Sequence, residues 1–340
     1  MRSKAFYING GAGRVIASIP ALEKYAETHD DFIIVAEGGM NFFKGHPVLH
    51  KYAYDSWHKN LFEDKIKERD SITPEPYRMW HYYNQKCNIA QAYDMEINGF
   101  DEPRELPTPN IKLTKTEAIT AFNTIEEVKA TTKKDKVIVV QPFGRGAEVR
   151  GEYIIDQSSR SFPQRNIVEI INNLRKDYGV IIMSEFQFVI DERGVKNLVP
   201  CAWPQADIRV WAGIIQAADH FMGCDSVGQH IAKSVGTTVT AVIGATFPEN
   251  ISYPNDSNFD IIDIGKGRRT FQPIRLTQED YQDMMNDDCM EMTSDDVNTI
   301  IKSCRKRLGK SASYSGNLVI EEQASKGCNN PQHNHKGFGK

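Results

Sequence analysis

A glycine-rich segment, residues 9–13 (NGGAG), lies between a short apolar run and an amphipathic stretch. Glycines such as Gly11 and Gly13 permit positive φ angles and a close approach of the backbone to a ligand. The helix predicted to follow presents free N–H groups and its positive dipole end, which suits a phosphate or a carboxylate. The spacing matches neither the dinucleotide fingerprint nor the Walker A pattern. A tight strand–helix turn without a ligand is the alternative.

A second polar segment, residues 223–232 (GCDSVGQHIA), follows another short apolar run. Asp225 or Ser226 is suited to cap the next helix, because both side chains accept hydrogen bonds from first-turn amides. Ser226 and those amides together predict a diphosphate site. His230 falls about one turn into the helix and points to the same place. The alternative is a capped helix with one polar face.

A third candidate pairs residues 141–144 (QPFG) with residues 160–163 (RSFP) further along the chain. Arg160 is the side chain of interest, because a guanidinium binds phosphate oxygens through two parallel N–H groups. This arrangement would place a cation against a phosphate. The alternative is a solvated arginine on a loop.

The elements that must position these residues alternate between strand and helix, which indicates an α/β fold with parallel sheets covered on both faces. The predicted strands are 5–9, 31–36, 137–141, 179–184, 220–223, 237–243 and 259–264. The predicted helices are 14–28, 116–129, 164–176, 207–218, 226–235 and a last one after the capping pair Thr293 and Asp296. The alternation predicts two βαβ halves.

The polar run 131–136 is the predicted linker between the halves. We expect a domain over residues 1–132, with an irregular, aromatic-rich insert at 41–110. A second domain follows over 133–309, and 310–340 form a polar tail in which only Leu318–Ile320 is apolar enough to dock.

Composition restricts the class of protein. The chain has 340 residues and a formal net charge of −4, which disfavours a general nucleic-acid binder. No apolar stretch approaches 18 residues, and the apolar N-terminal run is too short for a signal peptide. Six widely spaced cysteines are typical of reduced thiols, so a cytoplasmic location is expected.

Five segments taken together resemble the ADP-heptose:lipopolysaccharide heptosyltransferases, a branch of the GT-B glycosyltransferases. The similar segments are 13–22 (Gly-Asp-Val…Leu-Pro-Ala-Leu in the family), 141–144 with 160–163 (its Pro-Gly loop and Lys-x-Trp-Pro), 218–232 (its Asp-Thr/Ser-Gly-Pro-x-His-x-Ala), 244–248 (its Gly-Pro-Thr-Asp-Pro) and 289–297 (its Cys…Ile-Thr-Pro-Glu-Glu-Val). The likeness runs over most of the chain and is weakest between about 41 and 130.

The resemblance implies two facing Rossmann-like domains, with the C-terminal helix packing back toward the N-terminal domain. A nucleoside-diphosphate sugar would bind in the cleft as the donor, without a metal or another cofactor, and a glycan or lipid-linked hydroxyl would accept the sugar. The lipid-linked case implies peripheral membrane association. The residues implied at the donor site are Gly11, Gly13, Arg160, Asp225, Ser226, Gly228, His230 and Thr246.

The sequence departs from the family pattern at two positions. Arg14 stands where the family has its loop aspartate, the proposed general base, and an arginine cannot accept a proton at neutral pH. Glu37, at the end of the second predicted strand, is the substitute that topology offers, because ligands bind at the carboxyl ends of parallel strands. A solvated loop carboxylate is the alternative for Glu37. Val227 replaces a family glycine, and Gly228 can take over its role.

The leading hypothesis is therefore a glycosyltransferase. A catalytically silent relative, kept as a binding or structural module in a larger assembly, is the second hypothesis and is favoured by Arg14. A nucleotide-dependent oxidoreductase is a third, which the broken glycine fingerprint disfavours. Cys328, His333 and His335 are expected to be incidental tail residues, and the basic run 266–269 a solvated loop.

Overall fold

We describe a computed structural model of the chain, in which the described residues are 2–156, 158–186, 190, 195–196, 208–269, 286 and 288–316. The strands are β1 Lys4–Ile8, β2 Phe32–Ala36, β3 Ala53–Asp55, β4 Asp70–Ile72, β5 Val137–Gln141, β6 Ala147–Arg150, β7 Tyr153–Asp156, β8 Gly179–Ile182, β9 Val195–Lys196, β10 His220–Cys224, β11 Val239–Ile243 and β12 Phe259–Asp263. The helices are α1 Ala12–Ala26, α2 Trp80–Tyr83, α3 Ile89–Asn98, α4 Lys115–Thr132, α5 Gln164–Leu174, α6 Ile208–Ala217, α7 Val227–Val235, α8 Pro248–Ile251 and α9 Ser294–Leu308.

Two parallel sheets form the framework, as the alternation of strands and helices predicts. The first sheet has the order β3-β2-β1-β4, and the second has the order β12-β11-β10-β5-β8-β9. The strands β6 and β7 pair separately as an antiparallel hairpin. All five residues of β2, β5, β10 and β11 are buried, which explains why these strands are mostly apolar in sequence. The predicted α/β fold class is confirmed.

The two sheets share one hydrophobic core. An apolar cluster runs from the first sheet through α1 and continues into α6, α7 and one face of the second sheet, where it includes Trp211, Phe221 and Ile231. A second cluster fills the opposite face of the second sheet beneath α5 and α9. Within the described residues, no helix is long and apolar enough to cross a membrane.

The insert at 41–110 contributes strands that the sequence pattern did not reveal. Both β3 and β4 are parallel to their neighbours and extend the first sheet on either side. Each has only three residues and no buried apolar run, so neither produces a periodic signal. The insert also contains α3, whose N-cap Asn88 forms a capping box with Gln91.

The last helix, α9, begins with the predicted capping box between Thr293 and Asp296. Its apolar face packs on α5 and on strands β10 to β12 of the second sheet, and the chain after it returns to α4, where Tyr314 donates to Glu126. Polar contacts dock the start of the tail: Ser311 Oγ donates to Asp135 Oδ1 at 2.7 Å. Leu318–Ile320 and the tail residues after them lie outside the described residues. The predicted domain boundaries remain a prediction.

A buried arginine on α6 ties separate parts of the chain together. Arg209 is 1% exposed and makes two hydrogen bonds to the Glu117 carboxylate of α4, at 2.6 and 2.8 Å. It also donates to the backbone carbonyls of Asn41, Lys44 and Lys112. The hydrogen bonds from Arg209 hold the pKa of Glu117 down to about 2. This ion pair fixes the early part of the insert against α4 and α6.

We expect Arg209→Met to lower the free energy of unfolding by about 3–5 kcal/mol, because it leaves a carboxylate and several carbonyls without their donor. Urea denaturation followed by circular dichroism measures the change. The control is Arg150→Met, which breaks an exposed pair with Glu148 and is expected to cost less than about 1 kcal/mol. Equal losses in the two variants would contradict the assigned role of Arg209.

Candidate functional site

The carboxyl ends of the two sheets meet along a seam between α1 and α7. At Gly13, an added Cβ would lie 3.1 Å from His230 Cδ2 and 3.7 Å from the Cα of Val227. Glycine at this position therefore lets α1 approach α7 closely. Two segments that the sequence singled out separately, residues 9–13 and 223–232, thus face each other in the fold.

Asp225 is the buried anion of this seam. Its Oδ2 accepts a hydrogen bond from Thr246 Oγ1 at 2.9 Å, and its Oδ1 accepts one from Gln229 Nε2 at 3.2 Å. The Arg160 guanidinium lies 3.7 Å from the same carboxylate. Three predicted site residues, Asp225, Thr246 and Arg160, are therefore brought together, and Asp225 is held in place by its neighbours.

The first turn of α7 is capped by a residue from another strand. Ser226 is the N-cap, yet its side chain makes no capping hydrogen bond. Gln141, the last residue of β5, accepts a hydrogen bond from the Gly228 amide at 2.9 Å and donates one to Ser226 Oγ at 3.2 Å. Gln141 lies in the sequence segment 141–144, but the sequence alone assigns it no role. Its position at the carboxyl end of a central parallel strand is the signal that could have identified it.

Arg160 is positioned by a turn built around Asp156. This carboxylate accepts hydrogen bonds from the backbone amides and hydroxyls of both Ser158 and Ser161. Arg160 Nε donates to Ser158 Oγ at 3.0 Å, and the Gly144 amide donates to Ser161 Oγ at 2.9 Å. The Gly144–Ser161 hydrogen bond therefore joins the segments 141–144 and 160–163. It keeps a guanidinium beside the seam, and the alternative of a freely solvated arginine does not describe Arg160.

The glycine loop contacts Glu37, one of the predicted catalytic residues, which follows β2. Gly10 adopts a φ of 93° and donates its amide hydrogen to Glu37 Oε2 at 2.8 Å. Glu37 is exposed, so its carboxylate is both held by the loop and open to solvent. On the other side of the loop, an added Cβ at Gly11 would lie 3.4 Å from Nη1 of the exposed Arg145. Arg145 thus supplies a second cation at the seam.

Arg14 is turned toward the insert. Its Nε donates to Tyr93 Oη at 2.9 Å, its guanidinium carbon lies 5.0 Å above the Tyr77 ring, and its Nη2 is 3.5 Å from Glu75 Oε2. Glu75 follows β4, so it lies at the same carboxyl edge of the first sheet as Glu37. Sequence reasoning missed Glu75 because the three-residue β4 gave no strand signal. The position of the family aspartate is thus occupied by one half of an ion pair.

His230 is a neutral hydrogen-bonding group at the centre of the seam. Its Nδ1 lies 2.8 Å from Tyr253 Oη, and burial lowers the pKa of the imidazole to about 4. At neutral pH the ring therefore adds no positive charge to that of the Arg145 and Arg160 guanidinium groups. Among the described residues, no group of three or more His, Cys, Asp or Glu side chains is arranged to hold a metal ion.

Two other basic residues serve the fold. Arg269, from the run expected to be a solvated loop, forms two hydrogen bonds with the Asp263 carboxylate and donates to the Gly244 carbonyl at 2.9 Å. Arg268 likewise donates to the carbonyl of Cys289. The expectation of a solvated loop is wrong for Arg269, whose side chain is only 5% exposed, because carbonyls near the carboxyl end of β11 required a donor. Arg268 is exposed, as expected, although it also donates to backbone carbonyls.

The depressed pKa of His230 predicts a dependence of stability on pH. The unfolded chain takes up a proton at this residue below about pH 6.5, whereas the folded chain does so only near pH 4. Stability therefore falls as the pH is lowered through this window. We expect His230→Gln to remove up to about 3 kcal/mol of that fall between pH 7 and pH 4, measured by urea denaturation at each pH. An unchanged slope would show that His230 titrates normally in the folded chain.

No protein-family model matches the chain, and no curated protein matches it in sequence. Solved structures do match over most of its length. A family 9 glycosyl transferase from Veillonella parvula aligns over 90% of this chain and 97% of its own, with a TM-score of 0.55 and 12% identity. The E. coli ADP-heptose LPS heptosyltransferase II aligns over 89% of this chain and 99% of its own, with a TM-score of 0.51 and 9% identity.

The glycosyltransferase TibC from enterotoxigenic E. coli, described as iron-containing and dodecameric, aligns over 90% of this chain and 76% of its own. Its TM-score is 0.51 and its identity is 10%. At identities this low the likeness concerns the fold alone. The chain therefore has two parallel sheets arranged as in GT-B heptosyltransferases, and the resemblance carried by its sequence motifs is matched by its tertiary structure.

Proposed function

We propose that this protein binds a nucleoside-diphosphate sugar in the seam between its two sheets and transfers the sugar to a hydroxyl acceptor. One observation carries the proposal: the glycine loop and the first turn of α7 face each other, with Arg145 and Arg160 beside them. A diphosphate is the ligand that suits backbone amides, a hydroxyl and two guanidinium groups at one place. The GT-B fold supports the same assignment.

The donor would bind with its diphosphate at Ser226 and the start of α7. Gly11 and Gly13 leave room for close approach on the opposite wall, and Arg160 supplies positive charge. As the sugar leaves, negative charge grows on the diphosphate, and fixed cations and amides that face this charge lower the barrier. A metal ion is not required by this proposal, because the two guanidinium groups perform the same electrostatic task.

The transfer step needs a proton acceptor, and we assign that role to Glu37. The acceptor oxygen attacks the anomeric carbon, and the bond from that carbon to the diphosphate oxygen breaks, so its electron pair leaves with the nucleoside diphosphate. The proton of the attacking hydroxyl passes to the Glu37 carboxylate. The Gly10 amide, on the loop that faces α7, donates to this carboxylate at 2.8 Å and holds it in place. Arg14 cannot take the proton, so its role is to hold the insert against the loop.

A catalytically silent binding module is the second candidate function. The observation that favours it is the ion pair between Arg14 and Glu75, which occupies the position of the family aspartate. Such a module would bind the nucleotide or a partner without releasing the sugar. Turnover separates the two functions, because only the enzyme liberates nucleoside diphosphate from the sugar nucleotide.

We expect ADP-, UDP- or GDP-sugars to raise the melting temperature of the protein, because a ligand that binds only the folded state stabilises it by mass action.

We expect Arg160→Met to raise the dissociation constant of the sugar nucleotide about tenfold or more, because a charged hydrogen bond is lost. Arg160→Lys should retain part of the affinity, and Arg150→Met, on the exposed hairpin, should retain all of it. No thermal shift with any of the three nucleotides would overturn the proposed function.

We expect Glu37→Gln to slow release of nucleoside diphosphate by about 10²-fold or more, since a positioned general base contributes about that much. The amide can still accept from Gly10, so donor affinity should stay unchanged in calorimetry. Glu152→Gln, an exposed neutral substitution on the hairpin, is the control. Full activity in Glu37→Gln together with its loss in Glu75→Gln would transfer the role of base to Glu75.

A further inference from the structure

Gln141 is a buried polar residue that the proposed reaction does not use directly. It is 6% exposed, and its side-chain amide lies between the Gly228 backbone and the Ser226 side chain. The contact is built into the packing: a Cβ on Gly228 would lie 2.4 Å from Gln141 Oε1 and 2.3 Å from Phe221 Cζ. Only glycine at 228 therefore allows this amide to reach the helix.

The direction of these hydrogen bonds follows from their chemistry. A backbone N–H can only donate, so the group that faces Gly228 must be the carbonyl oxygen of the Gln141 amide. The NH₂ group then faces Ser226 and can only donate, so Ser226 Oγ is the acceptor in that contact. The hydroxyl hydrogen of Ser226 is consequently directed elsewhere. Within the described part of the chain, the contact with Gln141 is the hydrogen bond that Ser226 Oγ forms, and the hydroxyl does not cap α7.

The three groups form a chain with one polarity. Gly228 N–H donates to Gln141, Gln141 donates to Ser226, and Ser226 is left to donate outward. Each bond in such a chain polarises the next, and the positive end of the α7 dipole acts in the same direction. The half-buried Ser226 hydroxyl at the start of α7 is thereby prepared to meet an acceptor of negative charge.

We propose that Gln141 is a positioning residue that fixes Ser226 as a hydrogen-bond donor to an anionic oxygen of the ligand diphosphate. This inference rests on the proposed function and adds to it the residue that sets the polarity of the phosphate contact. The Gly228 amide is already used by Gln141, so recognition at this point passes through the Ser226 hydroxyl. The contact selects an anionic oxygen and rejects a ligand group that can only donate.

A double-mutant cycle tests this coupling. Gln141→Met, Ser226→Ala and the double variant are titrated with ADP, UDP, GDP and inorganic pyrophosphate in calorimetry, and their melting temperatures are recorded. We expect each single variant to weaken binding of the diphosphate probe about tenfold, the size of one hydrogen bond to a charged group. The double variant should bind as Ser226→Ala does, since Gln141 acts through that hydroxyl. Gln164→Met, at the exposed start of α5, should bind as the unchanged protein does.

A second variant, Gln141→Glu, keeps the shape of the side chain but replaces the NH₂ group that donates to Ser226 with an oxygen that accepts. Its carboxylate accepts from both Gly228 and Ser226, so the hydroxyl hydrogen turns away from the ligand. The α7 N-terminus and the two donors offset part of the cost of burying a second carboxylate near Asp225. We expect the variant to fold, with at least a tenfold loss of affinity for pyrophosphate. This variant preserves the test if Gln141→Met does not fold.

The outcomes separate the two proposals. If the unchanged protein binds none of the four probes, the proposed function fails and this inference fails with it. If it binds a diphosphate and Ser226→Ala weakens that binding, but the losses of Gln141→Met and Ser226→Ala multiply in the double variant, only the role of Gln141 is overturned. Unchanged affinity in Gln141→Glu would overturn it as well.

Discussion

The close approach of α1 to α7 is the constraint on which the rest of the molecule depends. It brings the carboxyl ends of two parallel sheets together, and it is possible because Gly13 has no side chain where His230 lies. Where the carboxyl ends of two parallel sheets meet, the N-termini of the following helices and the loop residues lie close together. The shared hydrophobic core then holds the sheets in this relation, and the buried Arg209 fixes the insert against them.

The seam contains one buried carboxylate, whose contacts stabilise the fold, and two guanidinium groups that are exposed or half-buried. Asp225 is a buried anion that accepts from Thr246 and Gln229, so it orders the start of α7. The exposed or half-buried cations Arg145 and Arg160 stand beside it, while His230 remains neutral because burial lowers its pKa to about 4. The seam therefore combines a buried carboxylate, two guanidinium groups and a neutral imidazole.

The insert is more than an appendage of the first sheet. Its β3 and β4 widen that sheet, Glu75 and Tyr93 hold Arg14, and the carbonyls of Tyr82 and Cys87 accept hydrogen bonds from the buried Asn250 of α8. The insert therefore contacts α1 through Arg14 and α8 through Asn250. Arg14 is paired with an acidic residue, Glu75, that follows the neighbouring strand β4.

The sequence by itself determined the central strands, the long helices and the residues of the α7 corner, because these depend on local periodicity and on neighbours a few positions apart. It also determined that position 14 carries an arginine, a side chain that cannot accept a proton at neutral pH. Tertiary structure alone decided the contacts of Gln141 with Gly228, of Arg14 with Glu75 and of Arg209 with the insert, whose partners lie 61 to 168 positions apart. No local pattern records such pairs, since burial in a shared core, not chain proximity, brings their donors and acceptors into hydrogen-bonding distance.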